Sequence, residues 1–320
     1  MRAVVYERYG SPDDLELREV ERPSAGPGQV VVKIRASSLN SWDWELLVGT
    51  FQGRMGFVSP RRPKHPVLGA DVAGTVEEVG DGVSGLVPGD EVYGDLSAVG
   101  WGGLAEYVAT DASALRAKPG SIPFTDAAAL PQAGLLAAQA LEARGGVGDG
   151  DRVLFIGAGG GVGTFAIQLA RAAGAEVTAV DRADKLDALR DLGADQVIDH
   201  ETSDPSNWGE GFDRIVDAVA VHPLATYRRA LAADGVCLLV GGRTWTILRA
   251  GLSSVVPWGD RRVSLLIHRP NQGLDDLGAR VAQGQVRAVI DRTFPLEEAA
   301  DAFRHYATGG FVGKIVITVG

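Results

Sequence analysis

Residues Asp151 to Asp181 read DRVLFIGAGGGVGTFAIQLARAAGAEVTAVD and contain the strongest indication of the fold. It begins with a short apolar run and continues through a cluster of glycines. Apolar residues then recur at helical spacing, and a second apolar run ends in Asp181. This order predicts a strand, a tight turn, a helix and a second strand.

The chemistry that suits this shape is dinucleotide binding. At the start of such a helix, unpaired backbone N–H groups and the positive end of the helix dipole favour a pyrophosphate. Asp181 follows Gly157 by 24 residues, where a carboxylate can hydrogen-bond an adenosine ribose. The alternative is a glycine-rich turn in another parallel α/β protein, and the flanking strand, helix and acid favour the dinucleotide. The candidate residues of the turn are Gly157, Gly160, Gly161, Val162 and Gly163.

Composition bounds the class of protein. The chain has 320 residues, of which 45% are hydrophobic and 22% charged, as in a globular protein with room for two domains. Its formal net charge of −10 repels phosphate backbones and anionic membranes, so neither nucleic acid nor a membrane is an expected partner. The single cysteine, Cys237, excludes an intramolecular disulfide. The N-terminal segment contains charges and no long apolar run, which favours a cytoplasmic protein.

The texture of the chain changes twice. Residues 1–119 alternate short apolar runs with Gly, Pro and Asp, which predicts a β-rich domain. Residues 120–268 alternate strand and helix patterns, which predicts a doubly wound parallel sheet of the α/β class. Residues 269–320 end in an apolar strand, Lys314 to Val319, whose texture matches the first segment. The β-rich domain is therefore predicted to be discontinuous. The six predicted strands of the sheet are Val153–Ile156, Val177–Val180, Gln196–Ile198, Arg214–Val216, Val236–Val240 and Val263–Ile267.

Eight motifs together resemble the medium-chain dehydrogenase/reductase superfamily, and within it the zinc-independent, zeta-crystallin-like quinone oxidoreductase branch. They cover nearly the whole chain: SLNSWDWELLVG from Ser38, LGADVAGTVEEVGDGV from Leu68, GDEVYGDL from Gly89, GWGGLAEYV from Gly100, ALPQAGLLAAQAL from Ala129, VLFIGAGGGVG from Val153, LRDLGADQVIDH from Leu189 and GKIVITV from Gly313.

The resemblance implies a Rossmann domain inserted in a GroES-like catalytic domain, with a cleft between them for nicotinamide and a small-molecule substrate. It also implies a homodimer that pairs the outer Rossmann strand, Val263 to Ile267. Within this superfamily, Asn40, Ala70 and Asp71 stand where zinc-dependent members have Cys, His and Glu ligands. The resemblance therefore implies a site without zinc.

Losing the metal changes the chemistry that the site can perform. A simple ketone needs a Lewis acid or a good proton relay, whereas an enone, enal or quinone delocalises the incoming charge into an enolate that hydrogen bonds can stabilise. Asn40 and Asp43 match the family's early loop near the nicotinamide and substrate, and Asn40 is the candidate donor to a substrate oxygen. Trp42 is a candidate wall of the substrate pocket. The alternative is that Asn40 and Asp43 cap a turn or short helix.

The cofactor is predicted to be NAD(P)H, with NADH preferred. Asp181 repels a 2′-phosphate, while Arg182 and Lys185 attract one. Ligands of open α/β sheets bind outside the carboxyl ends of the strands. Further candidate contacts therefore follow the fourth, fifth and sixth strands: Val219, Gly241, Arg269 and Asn271.

The sequence thus predicts a zinc-independent NAD(P)H oxidoreductase that reduces an activated C=C bond or a quinone. One rival is a metal-free alcohol or ketone dehydrogenase. Another is a non-redox cyclase, isomerase or cofactor-binding protein on the same scaffold, because Leu136 replaces a Thr that helps to hold the nicotinamide in much of the branch.

Overall fold

The computed structural model describes residues 1–50, 62–242, 246 and 262–320, and they form two compact units. The first unit comprises Met1–Leu135 and Arg269–Gly320, and the second comprises Leu136–His268. The boundary between the units after residue 268 lies at the position that the sequence predicts for the end of the parallel-sheet domain. The other break lies inside a helix, and the sequence-based boundary after residue 119 stays a prediction.

The first unit is β-rich. Its nine described strands are β1 (Arg2–Val5), β2 (Glu16–Glu19), β3 (Gln29–Ser38), β4 (Asp71–Val79), β5 (Glu91–Asp95), β6 (Tyr107–Asp111), β7 (Arg116–Ala117), β14 (Ile290–Pro295) and β15 (Lys314–Thr318). Seven strands form one sheet: six lie in the order β14-β15-β3-β4-β5-β7, and β6 also pairs with β3. Long apolar stretches of β3 and β4 alternate inward and form the core of this unit with Leu47, Leu68 and Phe303.

The register of the central strands brings distant residues together. Ser38 on β3 is paired with Val316 on β15 and with Asp71 on β4. Because β15 runs antiparallel to β3, Lys314 at the start of β15 lies beside Asn40, just beyond the end of β3. Asn40, Asp71 and Lys314, from three parts of the chain, therefore meet at one end of these central strands.

The second unit contains the predicted parallel sheet. Its strands are β8 (Arg152–Ile156), β9 (Glu176–Asp181), β10 (Gln196–Asp199), β11 (Phe212–Asp217), β12 (Leu231–Leu239) and β13 (Val263–Leu265). Their order is β10-β9-β8-β11-β12-β13 and every pairing is parallel. The order reverses between β8 and β11, which is the switch point of a dinucleotide-binding fold. The predicted fold class is confirmed.

The two units together contain eight described helices: α1 (Ser41–Val48), α2 (Phe124–Ala129), α3 (Pro131–Glu142), α4 (Gly161–Ala172), α5 (Leu186–Asp191), α6 (Leu224–Ala230), α7 (Leu274–Ala282) and α8 (Ala299–Thr308). None of the helices in the described ranges is long and apolar enough to cross a membrane. Helix α4 begins at Gly161, so its first turn contains Gly161, Val162 and Gly163.

Candidate functional site

The glycine turn joins β8 to α4. Gly157 takes a left-handed conformation with φ of 76°, which a side chain would disfavour, and Gly160 is the residue before the helix. The first N–H groups of a helix have no partner within it, and here no side chain caps them. Gly161, Val162 and Gly163 supply those N–H groups, so the predicted pyrophosphate site has the local shape that such a ligand needs.

Two glycines of the turn leave no room for a side chain. A Cβ on Gly163 would lie 2.3 Å from the carbonyl oxygen of Ala158, so the helix packs directly on the turn. A Cβ on Gly159 would lie 2.5 Å from Cδ of Lys185 and 3.1 Å from a carboxylate oxygen of Asp181. The turn is therefore packed against the end of β9, and the residues present fit a bound dinucleotide.

Asp181 is tied to the turn by hydrogen bonds. The N–H of Gly159 donates to its Oδ2 at 2.7 Å, and the N–H of Arg182 donates to its Oδ1 at 2.8 Å. The ammonium of Lys185, itself buried, lies 3.6 Å from Oδ1. Arg182 turns away and pairs with Asp184 at 3.0 Å. The structure thus brings Asp181 and Lys185 together beside the glycine turn.

The loop after β11 lies over the same turn. A Cβ on Gly157 would lie 2.7 Å from Cγ2 of Val219, and a Cβ on Gly242 would lie 2.3 Å from the carbonyl oxygen of Val219. Gly241 lies beside the carbonyl oxygen of Ala218, which a Cβ there would meet at 3.4 Å. The predicted contacts Gly157, Val219 and Gly241 therefore meet at the carboxyl edge of the sheet.

Asp217 holds this loop in place. Its Oδ1 accepts the N–H groups of Val219 at 2.7 Å and Ala220 at 2.8 Å, and its Oδ2 accepts the hydroxyl of Tyr227 at 2.7 Å. Ala220 has φ of 44°, an uncommon left-handed conformation for a residue with a Cβ. Burial raises the pKa of Asp217, and the three donated hydrogen bonds oppose that shift.

In the first unit, Asn40 belongs to a buried cluster of charged and polar side chains. Its Nδ2 donates to Oδ2 of Asp71 at 2.9 Å, and its Oδ1 accepts a hydrogen bond from Lys314. Lys314 lies 3.5 Å from Oδ2 of Asp71. The hydroxyl of Ser38 donates to that oxygen at 3.2 Å, and the backbone N–H of Gln132 donates to the other oxygen at 3.0 Å.

Burial sets the electrostatics of this cluster. Asp71 is fully buried and Lys314 is 2% exposed. Burial raises the pKa of Asp71 and lowers the pKa of Lys314, because each charged form is costly away from water. Their mutual attraction and the hydrogen bonds of Asn40 offset part of this cost.

The residues of this cluster do not fit a catalytic zinc. The cluster offers an amide, one carboxylate and an ammonium, and an ammonium has no lone pair to give a metal, whereas a catalytic zinc needs three N, S or O ligands. The carboxylate of Asp71 is already shared by Lys314, Asn40, Ser38 and Gln132. Across residues 1–50, 62–242 and 262–320, no three His, Cys, Asp or Glu side chains are grouped as metal ligands.

Asp43 and Trp42 lie on α1, which follows Asn40. Asp43 is fully buried, and its two oxygens accept the N–H groups of Asn40 at 2.9 Å and Gly69 at 2.8 Å. Burial raises its pKa to about 7, and the two donated hydrogen bonds oppose that shift. Trp42 is half-buried and packs against the core of the unit. Asp43 thus fixes the start of the helix, while the substrate roles of Trp42 and Asp43 stay predictions.

Two of the predicted cofactor residues lie in the first unit. Arg269 is exposed, whereas Asn271 is buried and left-handed, with φ of 61°. The side chain of Asn271 accepts the N–H of Asp95 at 2.8 Å and donates to the carbonyl of Asp95 at 2.9 Å. Both ends of this amide are therefore used by the backbone of β5, and the cofactor role of Asn271 stays a prediction.

Sequence reasoning missed Lys314, Gln132 and Asp217 as site residues. A signal for two of them exists in the sequence, because Lys314 opens the apolar strand KIVIT and Asp217 ends the apolar run RIVD. A charged residue at the end of a buried strand needs partners. The pairing itself depends on registers that no local pattern contains.

A chain that combines a β-rich unit with a second unit, whose parallel sheet has a glycine turn at its switch point, has the features of a dinucleotide-binding protein of the two-domain dehydrogenase type. Two family models match: "Alcohol dehydrogenase GroES-like domain" over residues 26–120 and "Zinc-binding dehydrogenase" over residues 192–317. The second range does not include Asn40, Ala70 or Asp71.

Relatives match along the whole chain. A chloroplastic quinone oxidoreductase of Triphysaria versicolor is 33% identical over 99% of this chain and 98% of its own length. A chloroplastic NADPH-dependent alkenal/one oxidoreductase of Arabidopsis thaliana is 32% identical over 99% of this chain and 79% of its own length. The solved structure of the quinone oxidoreductase from Coxiella burnetii superposes with a TM-score of 0.89 at 32% identity, covering 100% of this chain and 99% of that one. The chain belongs to the medium-chain dehydrogenase/reductase superfamily, in its quinone oxidoreductase branch.

Proposed function

We propose that this protein is an NAD(P)H-dependent oxidoreductase that reduces the activated C=C bond of an α,β-unsaturated carbonyl compound, or a quinone. When bound, the nicotinamide would supply a hydride to the electrophilic carbon, and a proton from solvent would complete the saturated carbonyl compound or the hydroquinone. The names of the two relatives and of the solved structure support this reaction class.

The observation that carries the proposal is the cluster around Asn40. At the position where zinc-dependent relatives bind a metal, this chain places an amide held between a buried carboxylate and a buried ammonium. Hydrogen-bond donors of this kind suffice to stabilise the enolate of an enone or quinone, whereas a simple ketone needs stronger polarisation. The donor set therefore favours activated acceptors.

The cofactor would lie at the carboxyl edge of the parallel sheet. The N–H groups of Gly161, Val162 and Gly163 would bind the pyrophosphate, and Asp181 with Arg182 and Lys185 would bind the adenosine ribose. The loop held by Asp217 would present Val219 to the cofactor, and Gly241 would let it approach the backbone. Arg269 and Asn271 complete the proposed set.

We propose that NADH is the preferred form. The carboxylate of Asp181 is buried at the end of β9 and accepts two backbone N–H groups, so it cannot easily leave when a 2′-phosphate approaches. Lys185 offsets part of this repulsion. Replacing Asp181 with Ser should raise kcat/KM for NADPH relative to NADH by about tenfold or more. An unchanged ratio would contradict the assignment.

Zinc has no part in the proposed reaction. The test is activity after exhaustive dialysis against a chelator, together with metal analysis of the purified protein. Full activity with less than one zinc per ten chains is expected. Loss of activity that added zinc restores would refute this point.

The decisive assay follows the near-ultraviolet absorbance of NADH and NADPH against a panel of enones, quinones and a secondary alcohol with NAD⁺. Turnover of enones or quinones is expected. Turnover of the alcohol alone would favour the metal-free alcohol dehydrogenase. Tight cofactor binding without oxidation by any acceptor would favour a non-redox role.

We further propose a cytoplasmic homodimer that pairs through β13. This strand lies at one end of the described parallel sheet, and Ile267 just beyond it is 77% exposed. An exposed apolar side chain beside an edge strand favours pairing with a second copy. Light scattering should report a dimer, and Ile267→Lys should weaken it. A monomeric wild-type protein at micromolar concentration would contradict the proposal.

A further inference from the structure

The side-chain amide of Asn40 is held by two charged groups. Lys314 donates to its Oδ1, and its Nδ2 donates to the carboxylate of Asp71 at 2.9 Å. An ammonium can only donate a hydrogen bond, and an ionised carboxylate can only accept one. The two partners therefore determine which end of the amide is oxygen and which is nitrogen.

This orientation leaves one donor available. An amide nitrogen carries two hydrogens, and Asp71 takes only one of them. Among the residues that the structure describes, no other group accepts a hydrogen bond from Nδ2 of Asn40. Asn40 is 7% exposed, whereas Asp71 is fully buried and Lys314 is 2% exposed, so the amide is the least buried of the three.

Gln132 provides an independent sign that an oxygen belongs beside this cluster. Its backbone N–H donates to Oδ1 of Asp71 at 3.0 Å. The residue is only 2% exposed, and its side-chain Nε2 has no hydrogen-bond partner within the described part of the chain. A buried donor without an acceptor is costly, and a carbonyl oxygen bound nearby would remove that cost.

We infer that Lys314 and Asp71 are positioning residues, which lock the Asn40 amide so that its remaining N–H donates to the carbonyl oxygen of the acceptor. The inference rests on the proposed function and adds the residues that orient the donor. When hydride adds to the β-carbon, the C=C pair shifts toward the carbonyl and leaves an enolate oxygen. The N–H of Asn40 stabilises that oxygen until a solvent proton reaches the α-carbon.

The test compares variants in steady-state assays with NADH and whichever of cyclohexenone, hexenal or benzoquinone the wild-type protein reduces. Asn40→Leu removes the donor, and a loss of about 100-fold in kcat is expected. Lys314→Met lets the amide rotate, and a loss of about 10-fold or more is expected. Lys314→Arg keeps a cationic donor and should restore kcat to within a few-fold. Cofactor affinity, measured by NADH fluorescence, should stay within about 2-fold in every variant.

Two further variants separate a loss of kcat caused by the Asn40 amide from a loss caused by poor folding. Asp71→Asn combined with Lys314→Met removes both buried charges together, so neither is left unpaired, and it should show the same loss in kcat as Lys314→Met. Lys118→Met is the matched control, because Lys118 is also a buried lysine of the first unit and pairs with Glu91 at 2.9 Å. It should lower the melting temperature and leave kcat unchanged.

Three results would overturn the inference. In the first, folded Lys314→Met and the double variant keep kcat within about 3-fold of wild type. In the second, Lys118→Met loses as much kcat as Lys314→Met, which would mean that kcat follows stability. In the third, the wild-type protein reduces no acceptor of the panel, so that the proposed function fails and the inference fails with it. The first two leave the proposed function intact.

Discussion

The hydrogen bond between Tyr227 and Asp217 gives a sharp prediction about the loop that covers the glycine turn. The hydroxyl of Tyr227 lies 2.7 Å from Oδ2 of Asp217, and both side chains are almost completely buried. Tyr227→Phe keeps the ring and removes one O–H group. A buried hydrogen bond to an ionised acceptor contributes about 1.5–3 kcal/mol, so the free energy of unfolding should fall by about 2 kcal/mol.

The same variant should show a pH dependence with a defined sign. Burial raises the pKa of Asp217 above its unfolded value, so its contribution to stability is fully present below the unfolded pKa and is lost as pH rises through the folded pKa. The Tyr227 hydroxyl mainly serves the ionised carboxylate. The cost of Tyr227→Phe should therefore be largest at pH values above the folded pKa and smaller in acid.

Urea unfolding followed by circular dichroism, at an acid pH and an alkaline pH on the two sides of the Asp217 titration, measures both effects. Tyr93→Phe is the matched control, because the hydroxyl of Tyr93 is equally buried but donates to a neutral carbonyl, that of Leu274, at 2.8 Å. It should cost about 1 kcal/mol at either pH. Equal costs for the two variants, or a cost of Tyr227→Phe that is the same at both pH values, would show that Tyr227 does not donate to a charged carboxylate.

Three further predictions concern single residues. Gly163→Ala should destabilise the protein by about 1–3 kcal/mol, because its Cβ would meet the backbone of Ala158 at 2.3 Å. A Cβ on Gly160 would have its nearest neighbour at 3.5 Å, so Gly160→Ala should keep the melting temperature and weaken the binding of NADH measured by fluorescence. Gln132→Met should raise the free energy of unfolding by about 1 kcal/mol by removing an unpaired buried donor, and should raise KM for the acceptor; no gain in urea unfolding would count against it. Asn271→Ala should cost about 1–2 kcal/mol more than Asn271→Gly, because both lose the hydrogen bonds to Asp95 but only Gly tolerates φ of 61° without strain; equal costs would argue against that strain.

The parts of the fold that depend on local patterns were predictable. The strand before Gly157, the helix after it and the strand ending in Asp181 follow from apolar spacing and glycine clustering. Strand β12 begins at Leu231, five residues before the predicted Val236, because the small and polar residues 232–235 separate Leu231 from the apolar run.

The candidate site was predictable only in part, because its side chains pair across long distances in sequence. The pattern around Asn40 indicated a polar residue near the substrate. It did not indicate that Lys314, 274 residues later, would reach the same amide. That pairing requires the antiparallel register of β15 on β3, which depends on the whole sheet. Asn271 was predicted from its place after a strand, and a local pattern does not show that Asp95 binds its amide.

The position of β15 inside the first sheet also bears on the order of folding. The second unit is one continuous segment. In the first unit, Asp71 on β4 is paired with a cation only after β15 has brought Lys314 into the sheet. Until then the growing chain carries a carboxylate whose burial is uncompensated, and the central strands cannot close around it. We expect the parallel sheet to become protected first in pulsed hydrogen exchange, and β3 and β4 to become protected together with β15. The last strand, β15, would then complete the folding of the first unit. Protection of β3 and β4 before β15 would exclude that order.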